Sequence, residues 1–181
     1  MLEGKRVTLR PVKRSDINLF LKWFNDQEIT QYLAPYLPMT EMAEEKWIES
    51  LATTRLKTDV VFIIEVKEGT SNKPIGNTGL RGIDSKDQNA WFDIVIGEKD
   101  YWSKGYGTES AQLIIEYGFQ QLNLRRISSA VTEFNERSIR MHEKLGFIEE
   151  GRRRKATYVN GGFWDDLIYG LLKEEWTPMK H

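Results

Sequence analysis

The chain contains no cysteine, which excludes disulfides, thiolate metal sites and a cysteine nucleophile. Neither sign of charge is in excess: 26 Lys and Arg stand against 27 Asp and Glu, a formal net charge of −1. That balance provides no electrostatic argument for nucleic acid or an anionic membrane as partner. No apolar run approaches the roughly 18 to 20 residues that span a bilayer, and the start, MLEGKRVTLRPV, lacks the apolar stretch of a signal peptide. Linkers, internal repeats and low-complexity segments are also missing. These absences predict a single cytoplasmic domain over residues 1–181, its core running from about 6 to 177, that meets small molecules or proteins.

What is present alternates between strand and helix signals. RVTLRPV reads as a first strand, and Ser15 and Asp16 as caps of a helix carrying Leu19, Phe20 and Trp23. LAPYLPMT is a proline-broken aromatic loop, and a second helix is expected from Glu41 to about Thr53. VVFIIEV, a strand beginning after Pro74 in PIGNTGLRGI, and AWFDIVIG follow with short connections, as in an antiparallel meander. A helix from Thr108 to near Gln121, a strand in RRISSAV, and a helix capped by Asn135 and stopped by Gly146 come next. FIEEGRRRKATYV and GGFWDDLIYGLLK then form a hairpin about Asn160 and Gly161. The class predicted is α+β with a mixed sheet.

Between the strand AWFDIVIG and the helix lies DYWSKGYGTES, residues 100–110. Backbone N–H groups from Ser103 to Thr108 can converge where the unpaired donors and macrodipole of a helix N-terminus favour an anion. Gly105 and Gly107 permit close approach, and Lys104 adds a cationic donor. The stretch is neither the dinucleotide fingerprint, since Ser110 stands where a third glycine belongs, nor a P-loop. Taken alone it suits a plain strand-to-helix connection as well as a phosphate cradle.

Trp102-Ser103-Lys104-Gly105-Tyr106-Gly107 resembles the [Q/R]-x-x-G-x-[G/A] acyl-CoA loop of the GNAT acetyltransferases, with Trp102 in place of the usual Gln or Arg. Asn135 to Phe147, NERSIRMHEKLGF, is similar to a second segment of that family and begins 28 residues after Gly107. The ending NGGFWDDLIYGLLKEEW resembles the last hairpin of its ribosomal-protein N-terminal acetyltransferase branch, and is similar to that of spermidine acetyltransferases too. The resemblance implies the GNAT fold: a mixed central sheet, helices on both faces, and fourth and fifth strands that run parallel and splay apart. It also implies acetyl-CoA as co-substrate, no metal, and a possible homodimer. By motif match, Ile94, Val95 and Ile96 offer a strand edge to the pantetheine arm. Ser103, Lys104, Gly105, Tyr106, Gly107 and Thr108 hold the pyrophosphate, and Asn135, Ser138 and Lys144 contact the cofactor. Asn135 and Ser138 can equally be helix caps, and Lys144 a solvated charge.

Direct acetyl transfer needs an acceptor for the amine's proton and an acid for the departing thiolate. Where the family often has tyrosine, this chain has His142. A phenol is protonated at neutral pH, whereas an ordinary imidazole is only about a quarter protonated, so His142 serves as acid only if its surroundings raise its pKa. It can otherwise shuttle a proton, or simply pack along the helix. Relatives often carry a glutamate in the fourth strand, where Trp91 stands here; Asp93 and Glu133 are the candidate bases, each equally able to be an ordinary surface or ion-paired residue. Tyr32 to Tyr36, Trp47 and Trp91 are candidates for the acceptor side, and Arg152 to Lys155 reads as a solvated basic face. The function expected is acetyl-CoA-dependent N-acetylation of a protein N-terminus or small amine. The alternatives are a polyamine acetyltransferase, or an acyl-CoA sensor without turnover, since the usual tyrosine and glutamate are both replaced.

Overall fold

A computed structural model describes residues 1–33, 37–69 and 71–178. Eight strands form one sheet in the order β1-β2-β3-β4-β5-β6-β8-β7. They are β1 (Leu2–Glu3), β2 (Val7–Pro11), β3 (Val60–Glu68), β4 (Ser71–Asp84), β5 (Asn89–Ile96), β6 (Arg126–Thr132), β7 (Ile148–Val159) and β8 (Gly162–Leu172). The helices are α1 (Ile17–Phe24), α2 (Gln27–Thr30), α3 (Glu41–Ala52), α4 (Tyr106–Gln120) and α5 (Glu136–Lys144).

The expected meander is present, because β2 to β5 pair antiparallel in succession. β5 and β6 run parallel but pair over only three positions, Asn89↔Arg126, Ala90↔Ile127 and Trp91↔Ser128. Beyond Trp91 the two strands part, so Phe92 to Ile96 keep β4 on one side and no strand on the other. This is the anticipated splay, found at the family's fourth strand, which is the fifth here because Leu2–Glu3 adds a short strand at the edge.

Strand alternation sends side chains to two cores. Leu9, Ile64, Leu80 and Phe92 pack with Ile114, Ile115 and Phe119 of α4, and α5 adds Ile139, Met141 and Leu145. On the opposite face Ile63 packs with Phe20 and Trp23 of α1, Ile29 of α2, and Trp47 and Ile48 of α3. Helices therefore cover both faces of a mixed sheet, as expected.

Local details differ from the sequence reading for identifiable reasons. β4 starts at Ser71 and runs through Pro74, which is tolerated because it sits at a register shift opposite Ile64 and Glu65. α4 begins at Tyr106 instead of Thr108, since Gly105 at φ 85° turns the chain one residue earlier. Asp16 does not cap α1. Its two oxygens take the Arg10 guanidinium at 2.7 and 2.8 Å and the Lys13 N–H at 2.7 Å. The hairpin is as predicted, with positive φ at Asn160 (50°) and Gly161 (84°). Among the described residues no helix is long and apolar enough to cross a membrane.

Candidate active site

Where β5 and β6 part, a cleft of about 790 Å³ opens, lined by both strands, α5 and the turn before α4. The turn forms one end. Ser103 (φ 59°) and Gly105 (φ 85°) both lie in the left-handed region, which coils the chain so that its amides face one way. The N–H groups of Ser103 to Thr108 find no hydrogen-bond partner among the described residues. A Cβ added to Gly107 would meet its nearest neighbours, Ile96, Ile94 and Met141, at ordinary contact distances of 3.6 to 3.9 Å, so the missing side chain leaves room for about one methyl group beside the cleft. Unsatisfied donors, a helix N-terminus and that room together fit a diphosphate.

Of the residues expected to hold the cofactor, Ile94, Val95, Ile96, Ser103, Gly105, Gly107, Thr108, Asn135, Ser138 and Lys144 line the cleft. Lys104 and Tyr106 do not line it; the Lys104 ammonium lies 5.9 Å over the Tyr101 ring and Tyr106 packs on the core. Their backbone amides lie in the turn. The cap reading of Asn135 is met directly: its Oδ1 accepts the Ser138 N–H at 3.2 Å while the residue faces the cleft.

The turn is braced from behind by residues the sequence reading missed. Glu109, buried in the first turn of α4, accepts the backbone N–H groups of Arg6 (2.7 Å) and Val7 (3.3 Å) and the Arg6 Nε at 2.8 Å. Arg6 Nη1 donates to the Lys104 carbonyl at 3.0 Å, and its guanidinium covers the Tyr106 ring at 4.8 Å. In front, the Trp102 indole donates to the Ile96 carbonyl at 2.6 Å, and the Arg137 guanidinium of α5 stacks on the Trp102 ring at 4.0 Å and reaches Tyr32 at 5.2 Å. Tryptophan in the family's Gln or Arg position thus ties the turn to both walls of the cleft. No spacing rule could pair positions 6 with 109 or 102 with 137.

His142 lines the cleft but is only 2 % exposed. Its Nδ1 lies 2.8 Å from the Ser138 carbonyl, so Nδ1 carries the proton, and Nε2 lies 2.9 Å from the Ser129 hydroxyl. Burial lowers its pKa below the ordinary value, with the Ser138 carbonyl opposing in part. The condition for His142 as general acid is therefore not met: at neutral pH the ring is neutral, with both nitrogens engaged by protein. Its geometry is that of a brace between α5 and β6. Ser129 Oγ also lies 3.2 Å from the Phe92 carbonyl, and its single proton serves either that oxygen or His142 Nε2.

The two candidate bases separate. Asp93 lines the cleft; its Oδ2 accepts Arg81 Nε at 2.6 Å, and its Oδ1 is buried with no partner. Glu133 does not line the cleft: its oxygens take the Asp165 N–H at 3.0 Å and Arg152 at 3.1 Å. Glu133 thus forms the ion pair named as its alternative reading, outside the cleft lining. Trp47 and Trp91 do not line the cleft either. Trp47 packs edge-on to Phe20 at 5.2 Å, and Trp91 is half exposed. Tyr32 does line it, while Tyr36 lies outside the described residues. Arg153, expected on a solvated face, lines the cleft and meets Asp166 at 2.9 Å, with Thr157 at 2.7 Å from the same carboxylate. A register irregularity between Arg153 and Thr157, with Lys155 at φ 50°, re-aims this part of β7.

Comparisons with known proteins agree with this architecture. Residues 6–148 match the acetyltransferase (GNAT) domain family. The chain is 31% identical over 177 residues, 97% of each chain, to the uncharacterized N-acetyltransferase p20 of Bacillus licheniformis. It is 29% identical over 180 residues to the spermidine N(1)-acetyltransferase of Escherichia coli K12, covering 97% of this chain and 91% of that one. The fold superposes with a TM-score of 0.85 on the crystal structure of spermidine N-acetyltransferase from Vibrio cholerae in complex with CoA and spermine, at 24% identity over 95% of this chain and 98% of that one. The sheet that parts behind a donor-rich turn is thus the GNAT sheet, and this chain belongs to the GNAT acetyltransferase family as an N-acetyltransferase.

Proposed function

We propose that the protein transfers an acetyl group from acetyl-CoA directly to a primary amine. The observation that carries this is the unpaired edge of β5 ending at a turn with six unpartnered amides. Ile94 to Ile96 pair with the pantetheine arm, Ser103 to Thr108 take the diphosphate, and Lys144 with the capped start of α5 at Asn135 and Ser138 completes that wall. Acetyl-CoA, when bound, supplies an activated thioester carbonyl. The chain's own task is to orient the amine and accept its proton. Asp93, facing the cleft with one oxygen unpartnered, is the acceptor of that proton.

The acceptor end favours a lone ammonium over a long polycation. Its two carboxylates, Asp93 and Asp166, are each compensated by an arginine, Arg81 and Arg153. A peptide N-terminus or small monoamine suits that balance, in keeping with the ribosomal-protein N-terminal branch that the last hairpin resembles. The similarity to spermidine acetyltransferases supports polyamines as the second reading. A cytoplasmic enzyme, acting as a homodimer, completes the proposal.

The test is thiol release from acetyl-CoA with a panel of N-terminal peptides, monoamines and spermidine. Turnover with peptides or monoamines is expected, and a preference for spermidine would select the second reading. Saturable acetyl-CoA binding without turnover across the panel would overturn catalysis in favour of a sensor.

A further inference from the structure

Two residues that line the cleft, Asn77 of β4 and Asp93 of β5, each carry a buried Oδ1 that no described residue binds. Asn77 is only 2 % exposed, and its side-chain amide makes no hydrogen bond among the described residues. A buried amide without partners costs stability and is rare in folded proteins, so it marks a place where a donor is to be sought.

Register relates the two side chains. Asn77 stands opposite Val95 and Gly79 opposite Asp93, so Asn77 and Asp93 are diagonal neighbours on one face of the sheet. Asn77 also stands opposite Ile63, which packs beneath α1 to α3, so this is the face those helices cover. Diagonal neighbours lie roughly 7 to 8 Å apart at the backbone, within reach of each other's side chains. Gly79 leaves the space between them unfilled: a Cβ there would press on the Val60 carbonyl at 2.7 Å and stand 3.5 Å from Asp93 Oδ1. Arg81 Nε takes Asp93 Oδ2 at 2.6 Å, which leaves Oδ1 as the unpaired oxygen. Phe24, Ile29 and Leu33 line the cleft from this side, and none of them has a side-chain donor to offer Asn77.

We propose that Asn77 is a specificity residue for the acceptor: Asn77 Oδ1 and Asp93 Oδ1 together receive the N–H groups of a primary amine, and an N-alkylated amine, with one N–H fewer, is disfavoured. The inference rests on the reading of Asp93 as the group that takes the amine's proton. The ammonium gives one proton to the Asp93 carboxylate, and the neutral nitrogen keeps two N–H bonds and a lone pair. Asn77 is a neutral acceptor that cannot take a proton, so it holds one N–H while the lone pair attacks the thioester carbonyl. The amide formed keeps one N–H, and the other proton leaves on the thiol.

Asn77→Leu keeps the branched shape and removes the acceptor. The substrates are an alanyl peptide and n-butylamine, each set against its N-methyl counterpart, with kcat/KM read from thiol release. Wild type should favour the primary amine. Asn77→Leu should lower kcat/KM for primary amines by about 10- to 100-fold, the scale of one buried hydrogen bond lost. It should also cut the primary-over-N-methyl ratio by about tenfold and leave the acetyl-CoA Kd unchanged. Its melting temperature should equal or exceed that of wild type, because an apolar group replaces an unpartnered amide. A merely structural Asn77 would give a lower melting temperature with selectivity intact. Equal rates for both amines in wild type, or an unchanged ratio in the variant, would overturn the proposal. Wild-type protein saturated with CoA provides a test without turnover or mutation. The Asn77 side-chain amide signals in nitrogen-15 NMR should shift when the primary amine is added, and signals that stay in place at every amine concentration would sink the idea. Shifted Asn77 signals without thiol release from any amine would defeat the acetyl-transfer reading alone.

Discussion

The two ends of the cleft are built from different materials. At the turn end, six consecutive residues supply backbone amides, and the side chains at 104 and 106 face elsewhere. At the other end, Arg81 with Asp93, and Arg153 and Thr157 with Asp166, come from separate parts of the chain and are paired through their side chains. The first end is built on backbone shape, with glycine at 105 and 107. The second is built on paired charges.

Substitutions at five positions bear on that contrast, beginning with the largest expected effect. Gly107→Val puts methyl groups into the room beside Ile94, Ile96 and Met141. It should raise the acetyl-CoA Kd by roughly 100-fold or more by occluding the site, with little loss of thermal stability, as calorimetry can establish. An unchanged Kd would show that the diphosphate lies elsewhere. Asp93→Asn should lower kcat/KM for the amine by about 100-fold, the scale of a lost general base, while acetyl-CoA affinity holds. If both ends respond together, the division between them fails.

Arg6→Ala acts from behind the turn. It removes the guanidinium bonds to Glu109 and the Lys104 carbonyl but leaves both backbone bonds to Glu109. The KM for acetyl-CoA should rise about tenfold, the cost of one lost charge-assisted contact, with kcat nearly constant. Arg6→Lys should restore part of it.

The smallest effect concerns His142. Its folded pKa is depressed below the ordinary 6.5, so the stability it contributes is present above that pH and is lost as pH falls through the lowered value. Glu44 has the opposite sign. Raised to about 7, it stabilises fully below the ordinary carboxyl pKa and loses that contribution as pH rises through 7. Thermal melts at about pH 5 and pH 8 should therefore show His142→Gln relatively more stable in acid than wild type, and Glu44→Gln relatively less so. The kcat profile of His142→Gln should retain the wild-type shape; a lost acid inflection would restore His142 as a proton carrier.

Legibility follows the same division. The turn was readable because Trp102 to Gly107 and Asn135 to Phe147 are contiguous, and because strand, glycine and helix signals act over a few residues. The splay was expected from the resemblance, and the register of β5 on β6 displays it. Asp93 and Glu133 could not be told apart by sequence, since either carboxylate suits a base or an ion pair; the fold places Asp93 in the cleft lining and Glu133 outside it, on Arg152 and the Asp165 amide. Arg153 is solvated as expected, and what the spacing could not show is that the same side chain meets Asp166 at the rim of the cleft.

The sequence by itself determined the alternation of strands and helices, the cap at Asn135, the Asn160-Gly161 turn and the donor-rich start of α4, because those features rest on periodicity, dihedral preference and local hydrogen bonding. Tertiary structure alone decided that burial disfavours the charged form of His142, that Asp93 pairs with Arg81, and that Glu44 is buried. Protonation is set by desolvation and by charges brought together from distant strands and helices, and those distances are not written in the spacing of residues along the chain.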